Sequence, residues 1–324
     1  MNKFKRMMAL FLAVCMIAGL VPMQSSAAEL GTKPADGTVA LANGPFDESV
    51  SANHRIPGLV TLNDGTLVAT ADARWTNEAD GGGMDVVVSM LEPGAQQWKY
   101  TYAAYLGDNG NEQNNASSTL MDPVIITDGE KLYLLADFFP AGLSTAGGNF
   151  VETGSGFDAQ GRLIVGKDNQ YNYYLDAEND RICDSEGNPV AEGYRVDGWF
   201  NLYNGDTYVG NLFFADSPYK VYQTSYITMQ TYENNQWSDP ELLNVKTEGS
   251  IYTILGPGSG LITKDGYIAF TTYDSTGAIS LVYGKDGVWN KVKTSQANNE
   301  SSIIELADGT IRAFVKRSES NTIA

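Results

Sequence analysis

The chain has 324 residues and carries 39 Asp and Glu against 21 Lys and Arg, a formal net charge of −18 at pH 7. A field of that sign repels nucleic acid and anionic membrane surfaces, which argues against partners of either kind. One histidine, His54, and two cysteines, Cys15 and Cys183, leave little material for a Cys/His zinc centre, a Cys-His dyad or a Ser-His-Asp triad, so the available chemistry is that of carboxylates, arginines and tyrosines. Oxygen-only cation sites of the calcium type stay open.

At the start of the chain Lys3, Lys5 and Arg6 precede a largely apolar stretch from Met7 to Val21 and the small residues Ser25-Ser26-Ala27-Ala28. That order reads as a secretory signal peptide over residues 1–28, which predicts a secreted or cell-surface protein without a membrane span. Val14 makes the position before Cys15 a poor lipoprotein site. With Cys15 in the leader, Cys183 is the mature cysteine and no intrachain disulfide is expected.

Beyond the leader the sequence reads as short β-rich runs broken by Gly, Asn and Asp, an all-β pattern. One unit recurs, a polar residue and Asp-Gly followed by alternating apolar residues: Asn63-Asp64-Gly65-Thr66-Leu67, Thr127-Asp128-Gly129, Lys264-Asp265-Gly266-Tyr267-Ile268 and Ala307-Asp308-Gly309-Thr310-Ile311. Asp-Gly is a strong hairpin signal. Trp98, Trp237 and Trp289 each stand in a polar turn one strand further on. Hairpin, strand and turn Trp together predict repeated blades, and radially repeated sheets make a β-propeller whose chemistry gathers at one end of a central channel.

The second interval between Asp-Gly pairs, from Asp128 to Asp265, is much longer than the others, which predicts an insertion. Residues 161–212 differ in composition, with Tyr171-Asn172-Tyr173-Tyr174 and Asp176-Ala177-Glu178-Asn179-Asp180, yet keep strand signals. A small β-module fits better than a long structureless loop. Its carboxylates Asp176, Glu178, Asp180, Asp184 and Glu186 match a calcium loop poorly, because Arg181 stands where such a loop needs Gly; a solvated acidic face is expected. The organisation expected is a signal over 1–28, blades over 29–160, the inserted module over 161–212 and further blades over 213–324. About four blades are accounted for, and the chain stops seven residues after Arg317 within a strand pattern, which reads as a C-terminal truncation.

His54-Arg55-Ile56-Pro57-Gly58-Leu59, a hairpin, Arg74 and then Asp80-Gly81-Gly82-Gly83 form the most specific segment. Here the chain resembles the bacterial sialidases of the glycoside hydrolase class. The resemblance implies a six-bladed propeller and an exo-α-sialidase that removes terminal sialic acid from glycoproteins, glycolipids and oligosaccharides, with no cofactor or metal. It implies that Arg55 and Arg74 bind substrate and that Asp80 is the acid/base. The residue types suit these roles: a planar guanidinium meets a carboxylate with two parallel charge-assisted bonds, and an Asp in a partly desolvated loop holds its proton more readily. The three glycines are expected to let the loop move. His54 is expected to pack or hydrogen-bond rather than transfer protons.

Further along, Asn299-Glu300-Ser301-Ser302 resembles the family's Glu-Ser strand start, which implies that Glu300 polarises a tyrosine nucleophile; sialidases depart from the two-carboxylate scheme in this way. Met121-Asp122-Pro123 resembles a second-blade motif whose Asp contacts a substrate hydroxyl. Sixteen residues after Glu300, where the family has its second carboxylate-binding Arg, stands Lys316, followed by Arg317. Strand neighbours face opposite ways, so Arg317 reaches the site only through a bulge; it is nonetheless the residue favoured as the second clamp. The tyrosine and third arginine are expected beyond Arg317. Val209-Gly210-Asn211-Leu212-Phe213 and Leu255-Gly256-Pro257 resemble the joins around the inserted module of larger sialidases and intramolecular trans-sialidases. Four readings therefore stand: a hydrolase, an intramolecular trans-sialidase releasing an anhydro sugar, a non-catalytic sialoglycan-binding propeller, and a structural adhesin array of blades that binds no sugar acid.

Overall fold

Alternating apolar residues punctuated by Asp-Gly should give hairpins, and every regular element among the described residues is a β-strand. The computed structural model describes residues 44–46, 49–51, 53–75, 77–106, 117–145, 148–190, 193–257, 260–297 and 300–316. The expected signal at 1–28 and Arg317 lie outside them. Among the described residues no helix is long and apolar enough to cross a membrane.

Strands β1 (Gly44–Phe46) and β2 (Ser49–Ser51) form a short hairpin. β3 (Asn53–Thr61), β4 (Leu67–Arg74), β5 (Met84–Leu91) and β6 (Lys99–Ala104) follow as an antiparallel meander, each strand paired with the next. β7 (Thr119–Thr127) and β8 (Leu132–Phe139) open a second sheet, joined to the first by the single parallel pair Met84–Thr119, that the following chain does not continue. Instead β9 (Ile164–Lys167), β10 (Gln170–Asp176) and β11 (Arg181–Cys183) build a separate sheet, and β12 (Tyr194–Val196), β13 (Asn201–Asn204) and β14 (Thr207–Asn211) another. β15 (Lys220–Val221) returns to pair with β9, carrying the module's own sheet past Leu212. Only then does β16 (Tyr226–Glu233) pair with β8, from Phe138–Tyr226 to Leu132–Tyr232, with β17 (Gln236–Trp237) and β18 (Glu241–Leu243) completing the second sheet.

A third meander contains β21 (Ile268–Asp274), β22 (Ala278–Lys285) and β23 (Val288–Ala297), preceded by a first strand in two pieces, β19 (Thr253–Leu255) and β20 (Leu261–Ile262), both paired with β21. β24 (Ser301–Glu305) and β25 (Ile311–Val315) form the next hairpin.

Each Asp-Gly pair joins the first strand of a sheet to the second. Gly65, Gly129, Gly266 and Gly309 take φ of 90°, 99°, 79° and 85°, values that a side chain would strain. Three of the turns repeat the same bonds: Leu62 N–H to Thr66 O at 2.9 Å, Thr263 N–H to Tyr267 O at 2.8 Å and Leu306 N–H to Thr310 O at 2.9 Å. Trp98 directly precedes β6, whereas Trp237 lies in β17 and Trp289 in β23 rather than in turns, with Trp289 edge-on to Phe270 at 5.7 Å.

One apolar cluster runs from Val68, Val86 and Val88 of the first sheet through Leu134 and Phe138 to Leu163, Leu202 and Phe213 of the module. Phe138 stacks on Phe213 at 3.7 Å, which ties the module to β8. A second cluster of Val124, Leu135, Leu255, Phe270 and Val282 joins the second and third sheets. Cys183 is free and buried. The module's acidic residues serve largely as turn acceptors: Asp184 takes the N–H groups of Glu186 and Asn188 at 2.9 Å, and Asp176 takes Arg181 Nε at 3.0 Å.

Candidate active site

The strand directions put the starts of β3 and β7, the end of β4, and the ends of the β24–β25 hairpin at the edge opposite the Asp-Gly turns. Proline cannot complete a strand ladder, and the pairing of β3 with β4 shifts between Arg55 and Gly58, around Pro57. Ile56 there has φ of 55°, a rare conformation for a β-branched residue. The bulge re-aims Arg55, which stays 44% exposed, while Arg74 is only 1% exposed. Their guanidinium groups converge: Arg74 Nη1 lies 2.6 Å and Arg55 Nη1 3.3 Å from the same oxygen of Asp80. Both also donate to the Glu78 carbonyl, at 2.7 and 3.1 Å.

The Asp80 loop is tied down on its far side. Ser144 Oγ donates to the Asp80 carbonyl and Thr119 Oγ1 to the Gly82 carbonyl, each at 2.6 Å, and Gly81 bridges to Ser144. A Cβ on Gly81 would come within 2.3 Å of Ser144 Oγ, and Gly82 has φ of 92°. These two glycines thus serve a close approach and a left-handed turn, where the sequence suggested freedom of movement.

Behind the arginines lies a string of buried carboxylates. Asp72 Oδ2 accepts Arg74 Nη2 at 2.7 Å and Nε at 3.1 Å, and Asp72 Oδ1 accepts the Asp122 N–H at 2.8 Å. Asp122 has φ of 54°, at a second bulge where the β7–β8 pairing shifts between Met121 and Val124, around Pro123. Asp137 on β8 accepts the Leu255 N–H at 2.9 Å. Burial raises all three: Asp72 to about 6 against the pull of Arg74, Asp122 to about 8 with the charge of Asp72 adding to it, and Asp137 well above the ordinary carboxylate range. Burial, then Asp137 and Asp122, keep the Tyr273 phenol neutral.

Glu300 and Lys316 close the set. The β24–β25 register runs without a shift from Ser301–Val315 to Glu305–Ile311, the Lys316 N–H donates to the Glu300 carbonyl at 2.9 Å, and Lys316 Nζ reaches Glu300 Oε2 at 2.7 Å. Glu300 adds to the upward push on Asp122 and Tyr273, which ties it to the same electrostatic neighbourhood. His54 Nε2 lies 3.5 Å from the Tyr100 hydroxyl, with the rings edge to face. A cavity of about 560 Å³ between the module and β18, lined by Phe157, Leu163, Tyr174, Phe200 and Leu242, touches none of the candidate residues.

The structure therefore brings Arg55, Arg74 and Asp80 into direct contact and links Asp122 to Arg74 through Asp72; Glu300 joins them with Lys316 beside it. Sequence reasoning missed Asp72, Asp137 and Ser144. Asp72 left a signal, since in Ala71-Asp72-Ala73-Arg74 it is a charge two residues from Arg74 on a strand of small apolar residues, and therefore on the same face.

Residues 56–311 match the BNR repeat-like domain family. The chain belongs to the BNR repeat-like family. It is sialidase-like within that family, being 26% identical to the anhydrosialidase of Macrobdella decora over 86% of this chain and 44% of the relative. Sialidase B of Streptococcus pneumoniae serotype 4 is 29% identical over 86% of this chain and 48% of its own length. The chain thus spans about half the length of these curated relatives. Among solved structures, the intramolecular trans-sialidase of Ruminococcus gnavus in complex with oseltamivir carboxylate aligns with a TM-score of 0.70 at 26% identity, covering 82% of this BNR repeat-like chain and 66% of that one. The NanB sialidase of S. pneumoniae aligns at 0.72 and 26% identity, over 85% and 49% of the two chains.

Proposed function

We propose that this chain carries the acid/base and arginine half of the active site of an exo-α-sialidase, its meanders being blades of a six-bladed propeller and residues 1–28 a signal for export. The observation that carries the reading is the convergence of Arg55 and Arg74 on Asp80. Two guanidinium groups aimed at one carboxylate oxygen form a place that a sugar acid's carboxylate can take. A substrate carboxylate that takes it competes with Asp80 for the same donors and leaves Asp80 free to face the leaving oxygen. Asp80 then gives its proton to that oxygen as the glycosidic bond breaks, while a tyrosine oxygen bonds to the anomeric carbon and its proton passes to Glu300. In the second step water attacks that carbon and gives one proton to Asp80, while the tyrosine is released and takes its proton back from Glu300. Glu300 polarises the tyrosine, Asp122 meets a substrate hydroxyl, and Arg317 with Lys316 supplies positive charge near the carboxylate. Terminal sialic acids on glycoproteins, glycolipids and oligosaccharides are the substrates.

A second reading, an intramolecular trans-sialidase, is favoured by the similarity to the M. decora anhydrosialidase and the R. gnavus enzyme. Its product is lighter than free sialic acid by one water. The full-length protein is tested on a fluorogenic sialoside, with the product weighed by mass spectrometry. Turnover that Asp80→Ala lowers by at least about 100-fold is expected. Saturable binding without turnover in both proteins would overturn the enzyme and leave a sialoglycan-binding propeller.

A further inference from the structure

We infer that Asp72 is a positioning residue of this site, a single buried carboxylate that aims Arg74 and locks Asp122 at the same time. The inference rests on the sialidase reading of Arg74 and Asp122, and extends it to a residue that itself need not touch substrate.

The two oxygens of Asp72 have separate tasks. Oδ2 takes the Nε and Nη2 donors of Arg74, so one whole edge of the guanidinium is committed inward and Nη1 is left to meet Glu78, Ala79 and Asp80. Oδ1 reaches from β4 across to β7 and takes the N–H of Asp122 at 2.8 Å. A left-handed aspartate before a proline persists only where its surroundings hold it there, and this bond is the hold that the geometry provides. Asp72 is fully buried and stands opposite Arg55 in the β3–β4 register, so it lies behind all three proposed substrate groups. A buried carboxylate that accepts three donors fixes their directions far more tightly than a solvated one could.

An asparagine has the same shape but only one acceptor oxygen, so Asp72→Asn must abandon either Arg74 or the Asp122 N–H. For the full-length protein on a sialoside, Asp72→Asn should raise KM about tenfold and change kcat by less than about threefold, the size of a lost charge-assisted hydrogen bond. In an Arg74→Gln background the same substitution should change KM by less than about twofold, because the residue through which it acts is gone. Asp72→Glu is the second variant. It keeps the charge but misplaces the fork, so its KM should also rise; a role limited to balancing the buried charge of Arg74 predicts wild-type KM for it. Wild-type KM in Asp72→Asn, an equal effect in both backgrounds, or failure of both Asp72 variants to fold overturns the inference in favour of a structural role. A wild-type protein that neither cleaves nor binds the sialoside overturns the sialidase reading instead.

Discussion

At one end of the sheets, four Asp-Gly hairpins repeat the same turn with glycines at positive φ, and three of them repeat the same backbone bonds. At the other end, the first strands of three successive sheets are interrupted at Ile56-Pro57, Asp122-Pro123 and Gly256-Pro257, and no two interruptions carry the same residue before the proline. The turn end is exposed and solved once by local chemistry. The proline end breaks the ladder, holds two non-glycine residues in a left-handed conformation and buries carboxylates behind arginines. Strain of that kind costs of order 1–3 kcal/mol per residue and persists only where neighbours enforce it. The difference separates what the repeat needs in order to fold from what one edge of it has been given to do.

That contrast can be broken at either end. The largest effect is expected from Glu300→Gln, which removes the negative charge proposed to polarise the nucleophile; kcat of the full-length protein should fall about 100-fold or more with little change in stability, and an unchanged kcat would strip Glu300 of its role. Next comes Asp122→Asn. A carboxyl raised to about 8 binds its proton more tightly folded than unfolded, so its contribution favours the native state at low pH and is lost as pH rises from about 4 to about 8. Asparagine tolerates the left-handed backbone and does not ionise. The Tm of Asp122→Asn should therefore exceed that of wild type by several degrees at pH 8 and by almost nothing at pH 4; a gap that grows on acidification would reverse the assignment. The smallest effect belongs to the turn end. A Cβ on Gly309 would meet only Glu305 Oε1, at 4.0 Å, but φ is 85°, so Gly309→Ala should cost about 1 kcal/mol, a few degrees in Tm, and leave KM untouched.

The same contrast explains what could be read from the chain alone. Asp-Gly hairpins are local, so their residues announce them. Arg55, Arg74 and Asp80 were legible because they fall within one hairpin and its following loop. Asp72 and Asp137 were not, because their roles depend on the N–H groups of Asp122 and Leu255, which are distant in sequence. The triple glycine after Asp80 shows a different limit: glycine marks a backbone that needs room or an unusual φ, and only the structure says that Gly81 needs room beside Ser144 while Gly82 needs its φ of 92°. Lys316 was seen as a departure from the family pattern, and the unshifted β24–β25 register puts it beside Glu300.

The place of the module has a kinetic consequence. The first sheet closes by hairpins between neighbours, but β8 must wait for β16, whose Tyr226 pairs with Phe138. The intervening stretch of roughly 90 residues adds loop-closure entropy to that pairing, a cost that rises only with the logarithm of its length. Time matters more. At roughly 5–20 residues per second of synthesis, several seconds pass between the emergence of β8 and that of its partner, and through that interval β8 offers an unpaired edge to any other strand in reach. A module that packs early through Phe213 against Phe138 shields the neighbourhood of that edge, so substitutions that loosen the module should lower the yield of folded protein before they alter anything the folded protein does.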